Sequence, residues 1–408
     1  VYFRRGALKS QKMIRKFGVR NFYCFKEGVE INFEFDGHVP SLVKNEQDVT
    51  SILGIKGANG SGKTNIIKAL SFLKNFSCTS ADSDLKSKIP FEEFAKSMDS
   101  TEFYVEFESN GCKYYYELEV TKEHVIREEF YRKKSRKTLI LKRELNNISF
   151  SIRELAEIGT IKLRKNASVI SLFNKYNFKS EMLDLKNLNH FFHKVITNVS
   201  NRGYVDSNLD FQYLLQQYSD TSNLFNFVKN IIIEADEGIK DIEIKEIINE
   251  DGEKVYFPIF LHEASEQDFF LTLNEESSGT KRIFEKMIWY WTALEAGGLL
   301  AIDEFDIHLH AMVLPSILNL FLNNESNPYG AQFIFTAHNT EIIDCLGKYR
   351  TILVNKEENE SYCYRLDEIP GSMIRNDRPI TPLYLEGKIG GIPSNLSNDK
   401  EAEFHGRI

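Results

Sequence analysis

The run Gly57-Ala58-Asn59-Gly60-Ser61-Gly62-Lys63-Thr64 sets three glycines, a lysine and a hydroxyl at the spacing that wraps a chain of phosphates. Its glycines let successive backbone N–H groups turn inward, Lys63 reaches the β- and γ-phosphates, and the Thr64 hydroxyl suits Mg²⁺. The nucleotide-binding set is therefore Gly57, Asn59, Gly60, Ser61, Gly62, Lys63 and Thr64. A second group lies far downstream, where Leu299-Leu300-Ala301-Ile302-Asp303-Glu304 ends an apolar stretch in two carboxylates. In phosphate-loop ATPases the first acid orients Mg²⁺ through water and the second polarises the attacking water, roles that fall to Asp303 and Glu304. The metal set is Thr64 and Asp303. An acidic strand end is commonplace alone and gains this meaning beside a phosphate loop.

These groups need elements to position them. Ser51–Ile55 reads as a strand into the loop, and the segment from Asn65 reads as a helix whose positive N-terminal end adds to anion binding. Ile14 to Phe35 alternates apolar and polar residues as antiparallel strands do, and a β-meander follows at 103–107, 113–120 and 138–143, with Ser109-Asn110-Gly111 as a turn. From 152 to about 235 the alternation gives way to helical spacing, as at Phe211, Leu214, Leu215 and Tyr218, without sustained heptads. Strand signals return at 242–244 and 269–273. A helix over 279–295, a strand at 298–302, a helix at 308–323, a strand at 331–336, a helix after Thr340 and a strand at 351–354 follow. That alternation predicts a parallel sheet.

Order and spacing then carry a resemblance. The turn Asn274-Glu275-Glu276-Ser277-Ser278-Gly279-Thr280 precedes an apolar helix, and a later strand ends in Thr336-Ala337-His338. Together with the phosphate loop and acidic strand, this resembles the ATP-binding-cassette class, in which two heads pack head to tail around the nucleotide. The resemblance implies that Ser277, Ser278, Gly279 and Thr280 form a signature turn acting in trans on a second subunit's γ-phosphate. It also implies that His338 is the switch histidine and Asp306 the acid of the loop after the acidic strand. The turn departs from the usual Leu-Ser-Gly-Gly-Gln, and as a bare sequence it also suits an ordinary helix cap. No glutamine is evident for the class's Q-loop, and His308 and His310 fit the start of the next helix better than a metal pair.

The 240 residues between Lys63 and Asp303 exceed the gap of transporter cassettes and lack the coiled coils of chromosome-maintenance ATPases. The chain is similar instead to the AAA-type, cassette-like ATPases of bacterial anti-phage abortive-infection systems, of the PARIS, Septu and RloA/AbiL-like kinds. The matching residues include Ile89-Pro90-Phe91, Asp303 to His310, Gln332 to Asn339 and Tyr384 to Pro393. The fold this implies is an α/β ABC-type head with an N-terminal antiparallel β-rich lobe and a helical insertion. Its parts would be an extension or expression-derived segment over 1–12, the first half of the head over 13–150, the insertion over 151–236, the second half over 237–370 and a C-terminal tail over 371–408. The implied activity is Mg²⁺-dependent ATP hydrolysis. The implied partners are a second copy through ATP-sandwiched heads, an effector nuclease encoded nearby and a phage protein as trigger. The tail is too short for the nuclease domain fused to OLD-type relatives. A RecF-type repair ATPase, which would bind DNA, is the alternative, and a non-hydrolysing nucleotide switch is a third.

Composition bounds these readings. At 408 residues, with 42% hydrophobic and 27% charged residues, the chain has the make-up of a soluble globular protein. The net charge of −8 offers nucleic acid no broad attraction and leaves local basic patches as the route to it. Five cysteines without metal-type spacing suit a reducing compartment, and no apolar run is long enough to span a bilayer. A cytoplasmic protein is expected.

Overall fold

The computed structural model describes residues 13–44, 47–205, 210–264, 267–307, 313–371, 373–375 and 378–393. His308, His310 and the extension over 1–12 lie outside them. At the centre is a six-stranded sheet in the order Glu360–Arg365, Thr351–Glu357, Ile52–Gly57, Gln332–Thr336, Leu299–Ile302 and Val195–Thr197. Its strands pair in parallel except for the outer two, Thr351–Glu357 and Glu360–Arg365, which are antiparallel. Ile52, Leu53 and Ile55, Leu299 to Ile302 and Phe333 to Phe335 are all buried, the continuous apolar runs that a sheet covered on both faces requires. Parallel register sets Phe335 beside Gly54 and Ile302 beside Phe335. The loops that leave the carboxyl ends of these strands therefore emerge together, the crevice where open α/β sheets bind ligands.

A seven-stranded antiparallel sheet forms the β-rich lobe, in the order Val29–Asn32, Met13–Arg20, Thr101–Ser109, Cys112–Val120, Val125–Lys133, Lys137–Glu144 and Asn147–Ser151. Alternate residues of its two central strands are buried. Phe103 stacks on Phe72 of the helix Lys63–Thr79 at 4.4 Å, and Phe107 stacks on Phe191 at 4.0 Å. No alternation marks the strand Val125–Lys133, in which Glu128, Glu129 and Phe130 are buried in succession. The Glu128 carboxylate is fully buried against an equally buried Arg143, 3.3 Å away, and accepts from Tyr116 Oη at 2.9 Å and Ser168 Oγ at 2.6 Å. A charged pair satisfied by hydrogen bonds replaces the apolar residue that alternation looks for.

The segment 151–236 holds the helices Leu183–His193, Phe211–Asp220 and Ser222–Ala235 that its spacing predicts. The helical insertion expected over 151–236 also carries short strands, at Val195–Thr197, Val199–Ser200 and Gly203–Tyr204. Val195–Thr197 joins the central sheet in parallel with Leu299–Ala301, and the helix Leu183–His193 packs on the helix Lys63–Thr79. Three residues are too few to show a period, and the partner strand lies about a hundred residues away in sequence. A three-stranded sheet, Ile239–Ile248, Lys254–His262 and Phe269–Thr272, then leads into the helix Ser278–Ala296. Of the C-terminal segment, Ile374, Ile380, Tyr384 and Ile389 form a small core with Ile343, Leu353 and Leu366, so this part is packed structure.

Candidate functional site

The strand Ile52–Gly57 delivers the phosphate loop, and the helix Lys63–Thr79 begins at the lysine itself. Gly62 adopts φ +110°, where a side chain is strained, and a Cβ there would stand 2.6 Å from Cys24 Sγ. The turn between the first two strands of the β-lobe thus rests directly on the loop, and only glycine fits beneath it. Lys63 Nζ donates to Gly57 O at 2.8 Å and Ala58 O at 3.0 Å, inside the loop. Burial pushes its ammonium below the usual lysine range, against the pull of Asp303, Glu304 and Asp306.

Thr64 Oγ1 donates to Asp303 Oδ2 at 2.8 Å, bridging 239 residues of sequence. The other oxygen of Asp303, Oδ1, accepts from Thr336 Oγ1 at 2.6 Å. Asp303 is only 3% exposed. Two hard oxygen ligands side by side are the donors Mg²⁺ takes, and Ser61 Oγ is a buried hydroxyl without a hydrogen-bond partner at the turn of the loop. The residues present fit a Mg²⁺-triphosphate. When bound, that ion neutralises charge on the β- and γ-phosphate oxygens.

Glu304 adopts φ +56°, left-handed for a residue with a side chain. Thr336 holds it there, since Glu304 N donates to Thr336 Oγ1 at 2.8 Å and Phe305 N to Thr336 O at 2.9 Å. The carboxylate is turned out of the sheet, with Oε1 3.8 Å from Nε2 of His338. Both side chains keep substantial exposure, 38% and 47%. Asp306 takes the backbone of the histidine turn, accepting from His338 N at 3.0 and 2.8 Å and from Asn339 N.

Walker-type residues from three strands thus meet at one point: Lys63 and Thr64, Asp303, Glu304 and Asp306, and His338. The turn Ser277–Thr280 is not brought to them. Ser277 caps the helix Ser278–Ala296, with Oγ accepting from Thr280 N at 3.1 Å and paired with Thr280 Oγ1 at 2.8 Å, while Ser277 and Ser278 face solvent. Three residues with a part in the site were not singled out from sequence. Asn198, following the strand Val195–Thr197, receives Asp303 N at 2.8 Å and donates to Asp303 O at 2.9 Å. Thr336 ties Asp303 to Glu304. Lys56, 2% exposed, donates to the carbonyls of His338 at 2.6 Å and Asn339 at 3.0 Å. Only Thr336 carried a signal, standing at the strand end before the histidine.

A central, mostly parallel sheet with a phosphate loop and an acidic strand end, beside an antiparallel β-rich lobe, defines an α/β P-loop head. Residues 52–344 match the family described as "AAA domain, putative AbiEii toxin, Type IV TA system". This is well over half of the chain, which belongs to that family. Among solved structures the chain is similar to the "SMC head domain from Thermotoga maritima", with 14% identity and a TM-score of 0.43, covering 86% of this chain and 98% of that one. It is also similar to the "Structure of the recombination mediator protein RecF-ATPrS in RecFOR pathway", with 12% identity and a TM-score of 0.34, covering 82% and 94%. No curated protein matches.

Proposed function

We propose that this chain binds ATP with Mg²⁺ and hydrolyses it to ADP and phosphate, as the sensor or scaffold of a cytoplasmic anti-phage defence system that controls a partner effector, a nuclease toxin. The hydrolytic part rests on one observation, the meeting of Thr64, Asp303, Thr336, Glu304 and His338 at the carboxyl ends of three parallel strands. Lys63 and the loop amides hold the phosphates, and Thr64 with Asp303 holds the metal. Glu304 is the base that takes the proton of the attacking water. His338 lies beside Glu304 and contacts the terminal phosphate. Asp306 fixes the peptide of His338, so that the imidazole tracks the Asp303-Glu304 strand end. The exposure of Glu304 and His338 leaves room for a second copy, whose signature turn would bring Ser277, Ser278 and Gly279 as hydroxyl and N–H donors to the γ-phosphate, with Thr280 bracing the turn from within. The defence assignment is supported by the family, whose description reads "putative AbiEii toxin, Type IV TA system". Among the described residues no helix is long and apolar enough to cross a membrane.

Glu304→Gln tests the mechanism. Phosphate release falls by about 10²- to 10⁴-fold, the share a positioned base contributes, while fluorescent ATP binding persists and the bound state lives longer. Undiminished phosphate release by the variant removes Glu304 from the reaction. ATP-dependent retention of gapped DNA by the same variant would move the assignment to a repair ATPase.

A further inference from the structure

The histidine turn is held from more than one side. Backbone N–H groups of His338 and Asn339 are taken by Asp306. The carbonyls of His338 and Asn339 are taken by Lys56, and that of Thr340 accepts from Thr381 Oγ1 at 3.1 Å. The buried Lys56 ammonium needs these acceptors, so a shift of this turn toward or away from the site pulls on Lys56, and on Thr381 through the Thr340 carbonyl.

Thr381 belongs to the C-terminal segment Ile380–Ile392, which is strapped across the same region. Asp344, on the short helix Ile342–Leu346 that follows the turn, accepts from Ile380 N and from Thr381 N at 3.1 Å. The Lys56 ammonium lies 5.7 Å from the centre of the buried Tyr384 ring. Farther along, Gly391 N donates to Asn355 Oδ1 at 2.7 Å and Tyr364 Oη donates to Ile389 O at 2.7 Å, seating the segment on the outer two strands. Gly390 and Gly391 have φ +77° and +78°, and a Cβ on Gly390 would stand 2.5 Å from Tyr364 Oη. This seat is built for close backbone approach.

We infer that the segment Ile380–Ile392 is a strap coupled to the nucleotide site, positioning the His338 turn through Lys56 and Thr381 and being moved in turn when the histidine engages nucleotide. The inference rests on the ATPase reading above. Coupling between two sites is reciprocal, so unseating the strap changes ATP affinity by the factor by which ATP changes the seating.

Amide hydrogen exchange over 380–392 tests it in full-length Glu304→Gln protein, with and without MgATP, alongside fluorescent ATP binding. ATP changes exchange there by severalfold. Adding Thr381→Val, which removes the donor, abolishes the change while ATP still binds; Thr381→Ser, which keeps the hydroxyl, preserves it. Gly391→Val unseats the strap and shifts the ATP Kd severalfold. ATP binding with unchanged exchange over 380–392 overturns the strap and leaves the ATPase reading intact, as does full coupling in Thr381→Val. Absence of ATP binding by the parent protein overturns the ATPase reading and the strap with it.

Discussion

Glu304, Lys56 and Gly62 show how single residues carry costs that the site requires. Burial pushes Lys56 down to about 8, with Asp306 pulling back and Lys63 adding to the fall. The unfolded chain keeps its lysines near 10.4. Between these values the unfolded state binds more protons than the folded one, so the stability contributed by this group rises with pH across that window. Urea midpoints at pH 7.5 and 10.5 should therefore show the parent protein gaining on Lys56→Met, by on the order of 3 kcal/mol at about 1.4 kcal/mol per pKa unit. A second expectation concerns Gly62→Ala, which loses roughly 1–3 kcal/mol to backbone strain and displaces Cys24 and the loop, abolishing ATP binding; thermal melting and nucleotide titration measure both. Lys63, Thr64, Asp303 and Glu304 were legible in the sequence because phosphate chemistry needs those types at short, local spacings. Lys56 was not, since a lysine in an apolar strand carries no mark of which carbonyls it will meet.

At the scale of elements, the parallel sheet was legible from its apolar runs and the β-lobe from its alternation. Val125–Lys133 and Val195–Thr197 escaped for different reasons. The first breaks its alternation, with Glu128, Glu129 and Phe130 buried in succession and an ion pair among them, and the second is too short to have a period. Missing the second also concealed Asn198, whose two hydrogen bonds to the Asp303 backbone tie an edge strand to the acidic strand. Asn198→Ala leaves both groups of Asp303 without their partner, costing about 1–3 kcal/mol, and lets Asp303 drift from Thr64. Phosphate release should fall more than ATP affinity, and a phosphate assay beside a binding titration separates the two. Removing one side of the Glu128–Arg143 pair, as in Arg143→Met, should cost about 3–5 kcal/mol. Chemical denaturation checks this, and the loss appears without any effect specific to nucleotide.

For the whole molecule, nucleotide is expected to act on assembly as well as stability. A ligand that binds only the folded state stabilises it by about 2.7 kcal/mol at a hundred times its Kd, so MgATP should raise the melting temperature of Glu304→Gln. If the signature turn, with its exposed Ser277 and Ser278, completes a second copy's site, this variant with MgATP should elute at twice the 47.3 kDa of one chain. Ser278→Arg should return it to the single mass, and light scattering on the eluting peak distinguishes these outcomes. An unchanged mass at saturating nucleotide would count against the shared site while leaving binding untouched.

The left-handed backbone at Glu304 has an evolutionary corollary. A carboxylate-bearing side chain at φ +56° is disfavoured relative to glycine or asparagine, which enter that region readily. On the proposed mechanism, the carboxylate is what the site gains in exchange for that strain. In any lineage where hydrolysis ceased to matter, drift at this position should run toward glycine or asparagine, with a gain of roughly 1–2 kcal/mol in stability. The identity of one residue would then separate turning motors from silent nucleotide clamps across related chains.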